Sequence, residues 1–129
     1  MTDLQRYLDH ASAKPFKYGR HDCCTVAARW VLLATERDVL RGHRYTSLAD
    51  GRRQMKEAGV KNHVDIFALS LPKKPRLMLV AGDIAVMPGD RMAALGIVQP
   101  GGERVWCFGP DGVGTAPLTA AKYGFGVRA

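Results

Sequence analysis

The residue types best suited to chemistry in this chain sit in one run, Pro15-Phe16-Lys17-Tyr18-Gly19-Arg20-His21-Asp22-Cys23-Cys24, which continues into Thr25-Val26-Ala27-Ala28-Arg29-Trp30-Val31. An aromatic-Gly loop ends at Asp22, a residue suited to capping a helix, and the helix it caps begins with a thiol. A cysteine in the first turn lies among unpaired backbone N–H groups at the positive end of the helix dipole. That setting favours the thiolate, the nucleophilic form. Cys23 is therefore the candidate nucleophile and Asp22 its neighbouring cap. A packing role competes with this one, because Cys23 shares a helical stripe with Ala27, Trp30 and Val31. Cys24 points elsewhere on the helix and reads as packing, and Cys107 lies in an apolar run and reads as core.

A nucleophilic thiol needs a base, and the base needs a third group to position it. A helix terminus alone supplies only ~0.3–1 kcal/mol, below the ~1.36 kcal/mol of one pKa unit. Apolar surroundings push the thiol the other way. Of the histidines His10, His21, His43 and His63, two are candidate bases. His21 lies two residues before the thiol, and His43 sits on a loop that can fold over it. Each also reads as an exposed or structurally hydrogen-bonded histidine. Tyr18, Arg20 and Tyr45 are candidate groove-shaping or partner-contacting side chains.

The elements that must position these groups divide the chain in two. Leu4, Tyr7, Leu8 and Ala11 recur at helical spacing, predicting a helix from about residue 3 to 13, before Pro15. The Asp22-capped helix should run to about Thr35, with Cys23, Val26, Ala27, Trp30, Val31 and Ala34 on one stripe. Ala28, Leu32 and Leu33 make its other faces apolar, which predicts a central, largely buried helix. Ser47 offers the cap of a helix to Ala58, closed by Gly59. Asn62 and Asp65 start another that carries Ile66, Phe67 and Leu69 before Pro72. This middle section reads as polar outside and apolar inside.

From Met78 the pattern changes to short apolar or alternating runs separated by Pro-Gly and Gly-Gly turns. Ile84–Met87, Leu95–Val98 and Arg104–Phe108 read as antiparallel strands, with shorter pieces near Val113 and Phe125–Arg128. The fold class is α+β: N-terminal helices, with a central Cys-bearing helix packed on a C-terminal antiparallel sheet. One domain over residues 1–129 is expected.

Composition narrows the function classes. Apolar content of 47% and charged content of 24% describe an ordinary globular chain. The first residues lack a signal-peptide layout, and no apolar run is long enough to span a bilayer. Three cysteines, two of them adjacent, argue against a disulfide framework and for synthesis in a reducing compartment. No CxxC pair occurs, so neither a metal nor a cofactor is expected. Nineteen basic against 12 acidic residues give a net charge of +7, which permits an anionic partner. The cations are spread, with local density only at Arg52-Arg53, Lys73-Lys74 and the Arg37, Arg41, Arg44 region. Nucleic acid is not the expected partner, although a basic nucleic-acid-binding domain stands as an alternative.

The aromatic-Gly loop with Asp22-Cys23, followed by Ala81-Gly82-Asp83-Ile84-Ala85-Val86 and by Leu95-Gly96-Ile97-Val98, resembles the NlpC-type cell-wall peptidases. These are small papain-like cysteine hydrolases that cleave peptidoglycan stem peptides. Pro15-Phe16 through Cys23, then Arg41-Gly42 with Tyr45, then Gly82-Asp83, is similar to small phage and prophage proteins of that superfamily. The resemblance covers most of the chain and implies a papain-like fold with Cys23 at the nucleophile position. Gly82-Asp83 then opens the first core strand. The family's base is a histidine just before the Gly of the next strand; in Ala93-Ala94-Leu95-Gly96-Ile97, Ala94 stands there. An orienting polar residue is expected on the following strand, where Val105, Trp106, Cys107 and Phe108 offer none. The resemblance therefore implies a degenerate, inactive relative serving as a structural or adaptor part of a phage tail tip. Such a protein is made in the host cytoplasm and carried in the virion tail, with tail proteins and peptidoglycan as partners. The alternative is an active peptidoglycan amidase or endopeptidase that pairs Cys23 with His21 or His43.

Overall fold

Four α-helices, two single-turn 3-10 helices (Arg76–Met78 and Leu118–Ala120) and a six-stranded antiparallel sheet make up the regular structure among the described residues, which are 2–89, 94–109 and 112–128 of this computed structural model. The helices are α1 (Asp3–Ser12), α2 (Cys23–Thr35), α3 (Leu48–Glu57) and α4 (His63–Ala68). The strands are β1 (Lys73–Pro75), β2 (Ile84–Met87), β3 (Ala94–Val98), β4 (Arg104–Gly109), β5 (Gly112–Pro117) and β6 (Tyr123–Phe125), in the order β1-β6-β2-β3-β4-β5. The helices-then-sheet expectation for an α+β domain holds.

Capping sets each helix start. Thr2 accepts from the Gln5 N–H at 3.1 Å, Ser47 from Asp50 at 3.1 Å and Asn62 from Asp65 at 3.1 Å. Asp22 and Thr25 form a reciprocal capping box at the head of α2. Gly59, at φ +77°, closes α3 as expected, with the Val60 N–H reaching the Met55 carbonyl at 3.0 Å.

α2 is the central helix. Val26, Ala27, Trp30 and Val31 are buried, and the Trp30 indole donates to the Gly82 carbonyl at 2.8 Å, tying the helix to the entry of β2. Its outer face differs from the expectation. Leu32 and Leu33 are 45% and 64% exposed, whereas Ala28 is buried. α3 also departs from the expected apolar inside: it buries no residue, and its Leu48 and Met55 face a cleft instead.

Both faces of β2 and β3 are covered, which explains their continuous apolar runs. Ile84, Val86, Leu95 and Ile97 join the core beneath α1, α2 and α4. Ala85, Met87 and Val98 face the opposite side with Leu79 and Val105. On β4, Trp106 lies in the helix-side core and Val105 in the other. Cys107, expected in the core, is half-buried and belongs to neither cluster. A Cβ on Gly96 would sit 2.8 Å from the Trp106 carbonyl oxygen and closer still to the Val105 side chain. Only glycine lets β3 and β4 approach this closely.

The sequence reading missed β1. Lys73-Lys74-Pro75 has no strand-like alternation and becomes a strand only by pairing with β6, Lys73 opposite Phe125. Asp83 completes this corner. Its buried carboxylate accepts from Lys74 Nζ at 2.6 Å, the Val80 N–H at 3.0 Å and the Val127 N–H at 3.1 Å.

Candidate functional site

The head of α2 is held by one buried carboxylate. Asp22, 4% exposed, accepts from the Thr25 N–H at 2.8 Å, the Gly19 N–H at 2.9 Å and the Tyr45 hydroxyl at 2.5 Å. The Cys24 thiol lies beside that same hydroxyl, so Cys24, Tyr45 and Asp22 form one buried cluster. Gly19 has φ +80°, and a Cβ there would collide with the Tyr45 carbonyl. Its missing side chain is what lets the segment around Tyr45 lie against the loop.

Cys23 lines a cleft of about 730 Å³ beside this knot. Burial pushes its thiol pKa up, and the Asp22 charge pushes the same way. The Leu95 N–H from β3 and the N–H groups of Cys24 and Cys23 pull it back, without overcoming burial. Cys24 is raised for the same leading reason. Leu95 thus brings β3 to the sulfur, and Ala94, the residue before it, also lines the cleft.

The cleft runs between the α2 head, β3 and the middle section. Phe16 and Tyr18, 46% and 45% exposed, form one lip, and Phe108 packs edge-on against Phe16 at 5.3 Å between ring centroids. Leu48, Arg52 and Met55 of α3 form another wall. His43 and His63 both line it.

The candidate residues thus separate. Cys23, Asp22, Tyr18, Tyr45 and His43 share the cleft lining. His21 lies outside it: 5% exposed, with Nε2 2.7 Å from the Ala11 carbonyl and its ring edge-on to Phe108. A carbonyl only accepts, so Nε2 carries the proton. Arg20 is exposed and takes part through its carbonyl, which accepts from the Arg29 guanidinium at 2.5 Å. His63, Arg52 and Phe108 were not foreseen as cleft residues. His63 follows the Asn62 cap, so its place on a helix start was legible, but its place in the cleft was not. Among the described residues, no three histidine, cysteine or carboxylate side chains gather where a metal could bind.

Residues 1–127 match the family described as Domain of unknown function (DUF6950). The chain belongs to that family. In fold, this DUF6950 chain is similar to the NlpC/p60 domain of the peptidoglycan hydrolase SagA, with a TM-score of 0.62, 14% identity and 95% of both chains covered. At that identity the likeness is one of fold, and the fold is the papain-like α+β one that the Asp22-Cys23 motif implied. No curated protein matches the chain.

Proposed function

We propose that this DUF6950 chain is a structural or adaptor component of a phage or prophage tail, built on an NlpC/p60-like fold whose hydrolytic centre is silent. The observation that carries this reading is the setting of Cys23. Burial and Asp22 hold its thiol protonated, the groups that favour the thiolate are backbone N–H donors, and Ala94 offers a methyl on the strand that reaches the sulfur. With no histidine at position 94 to take its proton, little thiolate exists at neutral pH to attack an amide. The tail assignment is supported by the pattern of Pro15 to Cys23, Arg41-Gly42 with Tyr45, and Gly82-Asp83. A net charge of +7 suits docking on acidic tail proteins.

Purified protein incubated with peptidoglycan at neutral pH should release no stem-peptide fragments, and an alkylating reagent should modify Cys23 slowly until denaturant is added. Fragment release that disappears in Cys23→Ala would overturn the silent reading. Mass spectrometry of purified particles and tail intermediates should find the chain; its absence from both would overturn the tail assignment. One observation favours a rival, an active cysteine amidase or endopeptidase: His43 lines the same cleft as Cys23. In that case His43→Ala abolishes fragment release as fully as Cys23→Ala.

A further inference from the structure

The segment from Lys73 to Val80 carries a surface that neither the core nor the cleft uses. Its backbone is fixed at three points. β1 pairs with β6, the Arg76 guanidinium donates to the Thr119 and Ala121 carbonyls at 3.1 and 3.4 Å, and the Asp83 carboxylate accepts from the Val80 N–H. One apolar side chain of this turn, Leu79, points inward and packs with Ala85, Met87 and Val98. The other three stand in water: Leu77 is 83% exposed, Met78 62% and Val80 57%. Large apolar side chains held out by a rigid backbone add nothing to the fold, and such clusters mark contact surfaces.

Charge describes the partner. Lys73, Arg76 and Lys122 are exposed around the turn. Lys74 is neutralised by Asp83, and residues 69–82 and 112–128 contain no other carboxylate. The sheet edge itself is closed to an added strand, because β1 is short and ends in Pro75. Contact must therefore go through the side chains of an exposed turn flanked by Lys73, Arg76 and Lys122. A bilayer accepts such a turn without a matched pocket, and an anionic leaflet attracts the three cations.

We propose that the Leu77-Met78-Val80 turn is an interfacial docking site for an anionic phospholipid surface. The apolar side chains enter the headgroup boundary, and Lys73, Arg76 and Lys122 meet lipid phosphates. This is attachment to a surface and not spanning; among the described residues no helix is long and apolar enough to cross a membrane. The cleft takes no part, so the presence or absence of hydrolysis leaves the proposal untouched.

Vesicle flotation of the full chain tests it, with phosphatidylcholine alone and with phosphatidylcholine mixed with phosphatidylglycerol. The chain should float with the mixed vesicles at low salt, remain behind with the neutral ones, and be released by added salt. The double variant Leu77→Ser, Met78→Ser keeps every charge and lies outside the core, so its melting should match the parent while its vesicle affinity falls about tenfold or more. Lys73→Gln with Lys122→Gln should weaken binding and flatten the salt dependence. Three results would each overturn the proposal: no flotation at low salt; equal binding by the serine pair, which would mean general charge attraction; or a lipid-free dimer abolished by the serine pair, which would assign the turn to a second copy.

Discussion

Tyr45 shows how much one hydroxyl can organise. It donates to Asp22, lies beside the Cys24 thiol, and anchors the segment that carries His43. Tyr45→Phe removes a hydrogen bond to a charged group, so about 1.5–3 kcal/mol of stability should be lost in urea titrations. Alkylation of Cys23 and Cys24 should quicken, since the segment that covers them loses its tether. An unchanged urea midpoint together with an unchanged alkylation rate would show that the hydroxyl is incidental. For Cys23 itself, burial places the pKa above the ordinary thiol value of 9.0. The pH profile of its alkylation should therefore turn upward only beyond that value, and a plateau already present at neutral pH would contradict this environment. Asp22 as a cap was legible in the sequence because capping is a local matter of three residues. That its second oxygen serves Tyr45, 23 residues further on, was not, since no local pattern encodes it.

Among the elements, β3 does the most to define the site, because its backbone touches Cys23 and its glycine sets the spacing to β4. Gly96→Ala should cost about 1–3 kcal/mol through overpacking, read as a lower thermal midpoint. A neutral result would mean that the two strands separate easily. The β1–β2 corner depends on Asp83 in the same way. Asp83→Ala leaves Lys74 and the buried Val127 N–H without their acceptor, a loss of about 2–4 kcal/mol in urea titrations. Gly82-Asp83 was recognisable as a strand opener, but the three partners of its carboxylate come from segments up to 44 residues away. Strands β2, β3 and β4 were legible from their apolar runs. β1 was not, because its residues are poor strand formers recruited by β6, and α3 was misjudged because its apolar residues face a cleft and not the core.

Across the whole molecule, the buried acids act together on pH dependence. Burial raises Cys23 and Cys24 above 9.0, raises Tyr45 above 10.0, and pushes Tyr7 up from 10.0 to about 12. Below those ordinary values both folded and unfolded chains hold these protons, and stability is complete. As pH climbs past about 9, the unfolded chain releases protons that the native one retains, so stability must fall with pH. The urea midpoint should accordingly be lower at about pH 10.5 than at about pH 7.5, and a flat profile would contradict the burial of these groups. The sequence by itself determined the helix that begins at Cys23, its Asp22 cap, the α+β order of elements and the absence of a histidine at position 94. These follow from periodicity, capping and residue identity, which are local. Only the tertiary structure decided that His43 and His63 share the cleft while His21 is tied to Ala11, that Leu95 reaches the sulfur, and that Leu77 and Met78 stand in water. Each of those depends on which distant segments pack together, and burial, the force that sets both the packing and the thiol's acidity, acts through space and not along the chain.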